Sequence, residues 1–223
     1  VWPMDQDIRA AKKALRSRVR DRLAVMTPEE RERRSFAIRR ALAGTEAFRT
    51  AALVAAYYPL PEEPDILPLL EQVLTEGRTL ALPRVQGGLL RFRRVADFRD
   101  CLPGYRGVRE PREGLPVLGT EDFTVPAGGS PDGSEPGAVI LVPGLAFDLR
   151  GGRLGRGKGF YDRFLGGFSP FSCLGEPRIV GVAFAVQLVP DVPMGGEDRR
   201  VDFLVTDEGF FPVPGKGRPL DGL

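Results

Sequence analysis

The 223-residue chain is 42% hydrophobic, enough for one sizeable core, and its 32 Lys and Arg against 30 Asp and Glu leave a formal charge of only +2. That balance argues against a general attraction to nucleic acid or anionic membrane, so local clusters of charge matter more than the total. Histidine is absent, and Cys101 and Cys173 are isolated thiols, which excludes imidazole chemistry, a disulfide framework and a thiolate metal site. With no apolar run long enough to span a bilayer and charges throughout the first twenty residues, a soluble, untargeted, cytoplasmic monomer is expected.

A first helix is predicted over residues 7–24, because Ile8, Leu15, Val19 and Leu23 recur on one face at a 3.6-residue period. Lys12 falls inside that apolar stripe and Arg16 at its edge, whereas Lys13 points away. Either the alkyl stems of the two cations cover apolar surface, or their heads reach over the helix toward a bound anion. Thr27, Pro28 and Glu30 then supply a cap, a proline at the first helical position and a capping glutamate for a second helix toward residue 43.

The short apolar run at 52–58 reads as the first strand of a sheet, followed by a loop over 59–64. Asp65 is placed to cap a helix ending near 76, and residues 79–82 form a second strand, giving a β-α-β order. Another strand is expected at 89–95. The proline- and glycine-rich stretch 101–136 reads mostly as ordered loop, least so around 128–137.

Residues 138–142 are continuously apolar and β-branched, as in a strand covered on both faces. Strands at 179–185 and 201–205 follow, then an irregular tail from about residue 207. The expected fold is α/β, a single doubly wound, mostly parallel sheet flanked by helices, with a helical segment at about 7–50 and the site at the carboxyl edge of the sheet.

The segment that follows the buried strand, PGLAFDLRGGRLGRGKGFYDRFL over residues 143–165, is the most informative part of the chain. A backbone with so few Cβ atoms turns tightly and aims several N–H groups at one polyanion, which Arg150, Arg153, Arg156 and Lys158 would neutralise. Gly152 to Lys158 has the spacing GxxxxGK, but Gly159 stands where a P-loop needs a hydroxyl for magnesium. A carboxylate must then take that role, and Asp162, Asp202 and Asp148 are the candidates.

The alternative is a surface turn with its arginines in solvent. A nucleic-acid reading would use Phe160 and Tyr161 for stacking, but it requires cationic surface beyond this loop. Tyr161 is either a core-edge aromatic with a wet hydroxyl or a ring that stacks on a planar ligand. Glu62 and Glu63 are either a solvated loop pair or acceptors for the N–H groups of a polar heterocycle.

KKALRSRVRDRL at 12–23, YYPLPEEPD at 57–65, LALPRV at 80–85, GRLGRGKGFYD at 152–162, GVAFAVQLVPDVP at 181–193 and RVDFLVTDEG at 200–209 together resemble the 5-formyltetrahydrofolate cyclo-ligase family. The resemblance runs from Lys12 to about Gly209. Ile66 stands where many members carry threonine. The resemblance implies a fold related to the sugar-phosphate isomerase and CoA-transferase group. It also implies conversion of 5-formyltetrahydrofolate, possibly polyglutamylated, and ATP into 5,10-methenyltetrahydrofolate, ADP and phosphate with Mg²⁺.

Carried onto this chain, the resemblance implies an ATP site of Lys12, Arg16, Arg153, Leu154, Gly155, Arg156, Gly157, Lys158 and Gly159. It implies folate contacts from Glu63 and Tyr161, catalytic roles for Lys158, Arg156 and Tyr161, and Mg²⁺ at Asp162 and Asp202. Another ATP- or sugar-phosphate-dependent enzyme on the same sheet, or a non-catalytic nucleotide- or RNA-binding protein, are the alternatives.

Overall fold

A computed structural model describes residues 5–124, 137–168 and 176–215. Cys173 and residues 128–136 of the stretch 128–137 expected to be least ordered lie outside the described residues. The amino-terminal helix α1, Asp5–Ala24, buries Leu15, Val19 and Leu23, so the predicted stripe is the packed face. Each such side chain contributes roughly 1.5–3 kcal/mol on leaving water. Helix α2, Pro28–Gly44, opens as its sequence dictates, with Thr27 Oγ1 accepting from the Glu30 N–H at 3.2 Å. The Glu30 carboxylate pairs with Arg34 in place of closing the capping box. A short helix, α3, Glu46–Thr50, leads into strand β1, Leu53–Ala55.

After β1 come α4, Leu67–Thr75, β2, Thr79–Gln86, and β3, Leu89–Val95, whose tight Gly87-Gly88 turn makes β2 and β3 an antiparallel pair. The stretch expected as loop holds a small hairpin of β4, Cys101–Pro103, and β5, Arg109–Pro111. The chain then crosses to the buried strand β6, Ala138–Pro143, doubles back through β7, Ala146–Phe147, and β8, Arg153–Leu154, and enters α5, Phe160–Leu165. Strands β9, Arg178–Val182, β10, Phe203–Thr206, and β11, Gly209–Pro212, complete the chain order.

The seven-stranded sheet has the order β11-β10-β9-β6-β1-β2-β3, parallel in its five central strands and antiparallel at both edges. The expected doubly wound, mostly parallel α/β sheet is what forms. One expectation fails: the irregular tail from about 207 adds β11 to the sheet edge, where Pro212 is tolerated because an edge strand can leave one side unpaired. Apolar side chains fill both faces of the sheet, one cluster under α1, α2 and α4 and a second under α5. No helix among the described residues is long and apolar enough to cross a membrane.

The chain winds outward from β1 through β2 in one direction and from β6 through β9 in the other. The reversal lies between β1 and β6, so the loops leaving their carboxyl ends diverge and open a crevice there. Those loops are 56–66 and 144–159, the two segments that carry the chemistry-bearing motifs.

Candidate active site at the strand crossover

The loop after β1 is held closed by its own polar groups. Tyr57 donates its hydroxyl to the Pro64 carbonyl at 3.0 Å, and Glu63 Oε2 accepts from the Leu60 N–H at 3.1 Å. Asp65 performs its expected capping role one residue early, accepting from the Leu67 N–H across the Ile66 cap position. The Glu63 side chain is thereby only 9% exposed.

Arg156, from the glycine-rich segment, meets this carboxylate across the crevice. Its Nη2 lies 3.0 Å from Glu63 Oε1 and 2.9 Å from Glu62 Oε1. Burial pushes the Glu63 carboxyl above the usual carboxylate range despite the opposing pull of Arg156. Burial also pushes the Tyr161 hydroxyl far up, assisted by the Glu63 charge, and does the same to Tyr57. Both phenols therefore stay neutral beside the carboxylate. In Arg156 burial disfavours the charge, but the paired glutamates outweigh it and hold the guanidinium protonated.

The base of the glycine-rich segment is fixed from inside. Asp148, 1% exposed, accepts from the N–H groups of Arg150, Gly152 and Val192 at 2.8, 3.0 and 2.8 Å. Its carboxylate is consumed by the turn, which removes it from the magnesium candidates. Arg153 is also turned inward at 3% exposure, donating to Asp162 Oδ1 at 2.8 Å and lying over the Tyr161 ring. Leu154 is buried, its carbonyl accepting from the Leu145 N–H. Arg153 is thus engaged by Asp162 and Tyr161 and Leu154 is buried, and the exposed part of the segment begins at Gly155.

From Gly155 onward the segment is open to solvent. Helix α1 leans over it: Arg16 donates Nε to the Gly155 carbonyl at 2.9 Å. Gly157 has φ +105°, and a Cβ there would meet the Arg16 guanidinium at 3.5–3.7 Å. That contact is an ordinary van der Waals one, so it is the positive φ, which L side chains rarely adopt, that favours glycine here. Lys12 pairs with Asp198, and Lys158 is exposed with no side-chain partner among the described residues. Both helix cations are half-buried, with the Lys12 head on Asp198 and the Arg16 head on the Gly155 carbonyl.

Asp162 and Asp202 do not converge. Asp202 precedes β10 and accepts from the Ile179 N–H at 2.9 Å, which puts it at the amino edge of the sheet, a strand length from the crevice. The acid that does reach the site is Asp198. It sits in a turn closed by the Gly195 N–H, holds Lys12, and adjoins Arg199, whose N–H approaches Asp162 Oδ1 at 3.4 Å. Nothing in the GGEDRR run singles Asp198 out; its role follows from packing against α1. No group of three or more His, Cys, Asp or Glu forms a metal cage among the described residues. Asp162 with Asp198 is what the site offers, a donor set that suits a Mg²⁺ carried mainly by phosphate and water.

Residues 8–207 match the model of the 5-formyltetrahydrofolate cyclo-ligase family. The chain is 30% identical over 181 residues to the 5-formyltetrahydrofolate cyclo-ligase of Mycolicibacterium smegmatis, covering 79% of this chain and 83% of that protein. It is 23% identical over 206 residues to the mouse enzyme of the same name, covering 90% and 96%. Among solved structures, the NMR structure of Aquifex aeolicus 5,10-methenyltetrahydrofolate synthetase superposes with a TM-score of 0.74 at 34% identity, covering 95% of this chain and 96% of that one. With a match that extends from the first helix through the last parallel strand, the chain belongs to the 5-formyltetrahydrofolate cyclo-ligase family.

Proposed function

We propose that the protein closes the five-membered ring of 5,10-methenyltetrahydrofolate from 5-formyltetrahydrofolate, driven by conversion of ATP to ADP and phosphate. The observation that carries this reading is the buried Glu63 carboxylate facing the cationic tip of the glycine-rich segment across the β1/β6 crevice. One side suits the N–H groups of a pterin, and the other suits phosphates.

The formyl oxygen of an N-formyl group is a poor leaving group. It attacks the terminal phosphorus, ADP departs, and the carbon becomes an iminium-like phosphate ester. Nitrogen 10 of the folate then bonds to that carbon, loses its proton, and the carbon–oxygen bond breaks to release phosphate. The nucleophile belongs to the substrate, which fits a chain without histidine.

Lys158, Lys12 and Arg156 neutralise the phosphates, and Arg16 holds the backbone of the loop in place. Such preorganised charge counts most where negative charge builds in the transition state. Glu63 accepts from the pterin, with the neutral hydroxyl of Tyr161 beside it. Asp162 and Asp198, in place of the expected Asp202, would hold Mg²⁺, which when bound supplies further neutralisation of the polyphosphate.

The test is optical. 5,10-Methenyltetrahydrofolate absorbs in the near ultraviolet, so folded protein with ATP, Mg²⁺ and 5-formyltetrahydrofolate should generate that absorbance, and omission of ATP should abolish it. Folded, Mg²⁺-saturated protein that produces none would falsify the assignment.

A further inference from the structure

Arg156 is held by two acids from the opposite loop, and recognition of a pterin gives a task to only one of them. The Glu63 carboxylate commits Oε2 to the Leu60 N–H, at 3.1 Å. Its other oxygen, Oε1, accepts from Arg156 Nε at 3.3 Å and from Nη2 at 3.0 Å. A carboxylate oxygen offers two lone-pair sites, so the guanidinium fills Oε1. A heterocycle N–H reaches that atom only by taking the place of the arginine.

Glu62 stands beside this competition. Its side chain is 41% exposed, against 9% for Glu63, and its Oε1 lies 2.9 Å from the same Arg156 Nη2. Because Nη2 carries two hydrogens, it faces both acids at once. The second carboxylate therefore strengthens the hold on Arg156 from the solvent side, while the loop that carries it is closed by other groups, the Tyr57 hydroxyl and the Glu63 carboxylate.

Arg156 is also placed to leave. It sits between Gly155 and Gly157, the latter at φ +105°, and its side chain is exposed. The chain around it is anchored elsewhere: Arg16 holds the Gly155 carbonyl, and Asp148 fixes the base of the segment through the Arg150 and Gly152 N–H groups. A polyphosphate at the loop tip presents oxygens that engage the guanidinium fork in pairs and carry more charge than either carboxylate. Arg156 can turn to it while the base stays in place.

We propose that Glu62 is a positioning residue: with Glu63 it latches Arg156 over the pterin acceptor, and nucleotide phosphate opens the latch by drawing the guanidinium to the loop tip. This rests on the reading of the site as a folate cyclo-ligase. Nucleotide frees Glu63 Oε1 for the pterin, so each ligand tightens the other by the same factor. Folate binding is thereby favoured after nucleotide, and the crevice is spared a folate that has no phosphoryl donor beside it.

Glu62 is half-buried on a surface loop, so Glu62→Gln tests the latch without disturbing the core. The measurement is calorimetric: Kd for 5-formyltetrahydrofolate with and without Mg²⁺ and the non-hydrolysable β,γ-methylene-ATP, in wild type and E62Q. In wild type the nucleotide should lower the folate Kd about tenfold or more. In E62Q the nucleotide-free Kd should already lie about threefold below that of wild type, with the coupling reduced by the same factor. A merely structural Glu62, or one that touches the ring, predicts weaker folate binding instead. A wild-type coupling within about twofold of unity, or an E62Q nucleotide-free Kd no lower than that of wild type, overturns the latch; methenyl formation by the same wild type leaves the cyclo-ligase assignment standing. Wild type that neither binds nor turns over 5-formyltetrahydrofolate overturns both.

Discussion

The two loops that face each other across the β1/β6 crevice are built in opposite ways. The loop after β1 is stiffened by Pro59, Pro61 and Pro64 and by the Tyr57 and Leu60 hydrogen bonds, so it presents one buried carboxylate in a fixed shape. The segment after β6 is rigid at its base, where Asp148 gathers three N–H groups, and open at its tip, where Arg156, Gly157 and Lys158 are exposed. The contrast separates two tasks. On the proposed function, recognition of a flat, neutral heterocycle needs a preformed acceptor, whereas charges that must follow a phosphoryl group from ATP to substrate gain from a tip that adapts above a fixed base.

Removing charge from the tip should have the largest catalytic effect. Lys158→Ala is expected to lower kcat by about 100- to 1,000-fold while the protein stays folded, measured by methenyl formation and circular dichroism. A rate within twofold of wild type would remove Lys158 from the mechanism. At the base of the same segment the effect should fall on stability. Gly151 has φ +80°, and a Cβ there would stand 2.5 Å from the Val201 carbonyl oxygen. Gly151→Ala should therefore cost about 2–4 kcal/mol, read from the urea midpoint at unchanged slope.

The opposite loop is probed through pH. The Glu63 carboxyl lies above its ordinary value of 4.5, chiefly because it is buried. A carboxyl with a raised folded pKa binds its proton more tightly folded than unfolded. Its contribution to stability is full below the ordinary value and is lost as pH rises through the folded one. The Tm of Glu63→Gln should therefore lack a decline that wild type shows as pH rises above the ordinary carboxylate value of 4.5; parallel profiles would place the charge elsewhere. The smallest effect is expected at the other edge of the sheet, where Asp202→Asn should leave kcat within about twofold because its carboxylate serves the Ile179 N–H.

The sheet, the crevice and both loops were legible because each leaves a local signature. Continuous apolar runs mark the buried strands, and glycine next to cations marks the tip. Lys12 was also legible, since a cation inside an apolar helical stripe is a visible anomaly. Asp198 was not, because its partner Lys12 is distant in the chain and its own surroundings are a polar turn. The separation of Asp202 from Asp162 was hidden for a related reason. Expecting the strand at 201–205 hides that Asp202 precedes β10 and so belongs to the edge opposite the loops. The strand β11 escaped notice because Pro212 and the flanking glycines signal irregular chain, a signal that an edge position overrides.

The ion pair between Lys12 and Asp198 joins positions 186 residues apart. During synthesis the helix bearing Lys12 leaves the ribosome long before its counter-charge exists, a wait of roughly 10–40 s at ordinary elongation rates. A nascent chain can therefore pair β1, β2, β6 and β9 while Lys12 still lacks its counter-charge, and the pair closes only once the turn before β10 has emerged.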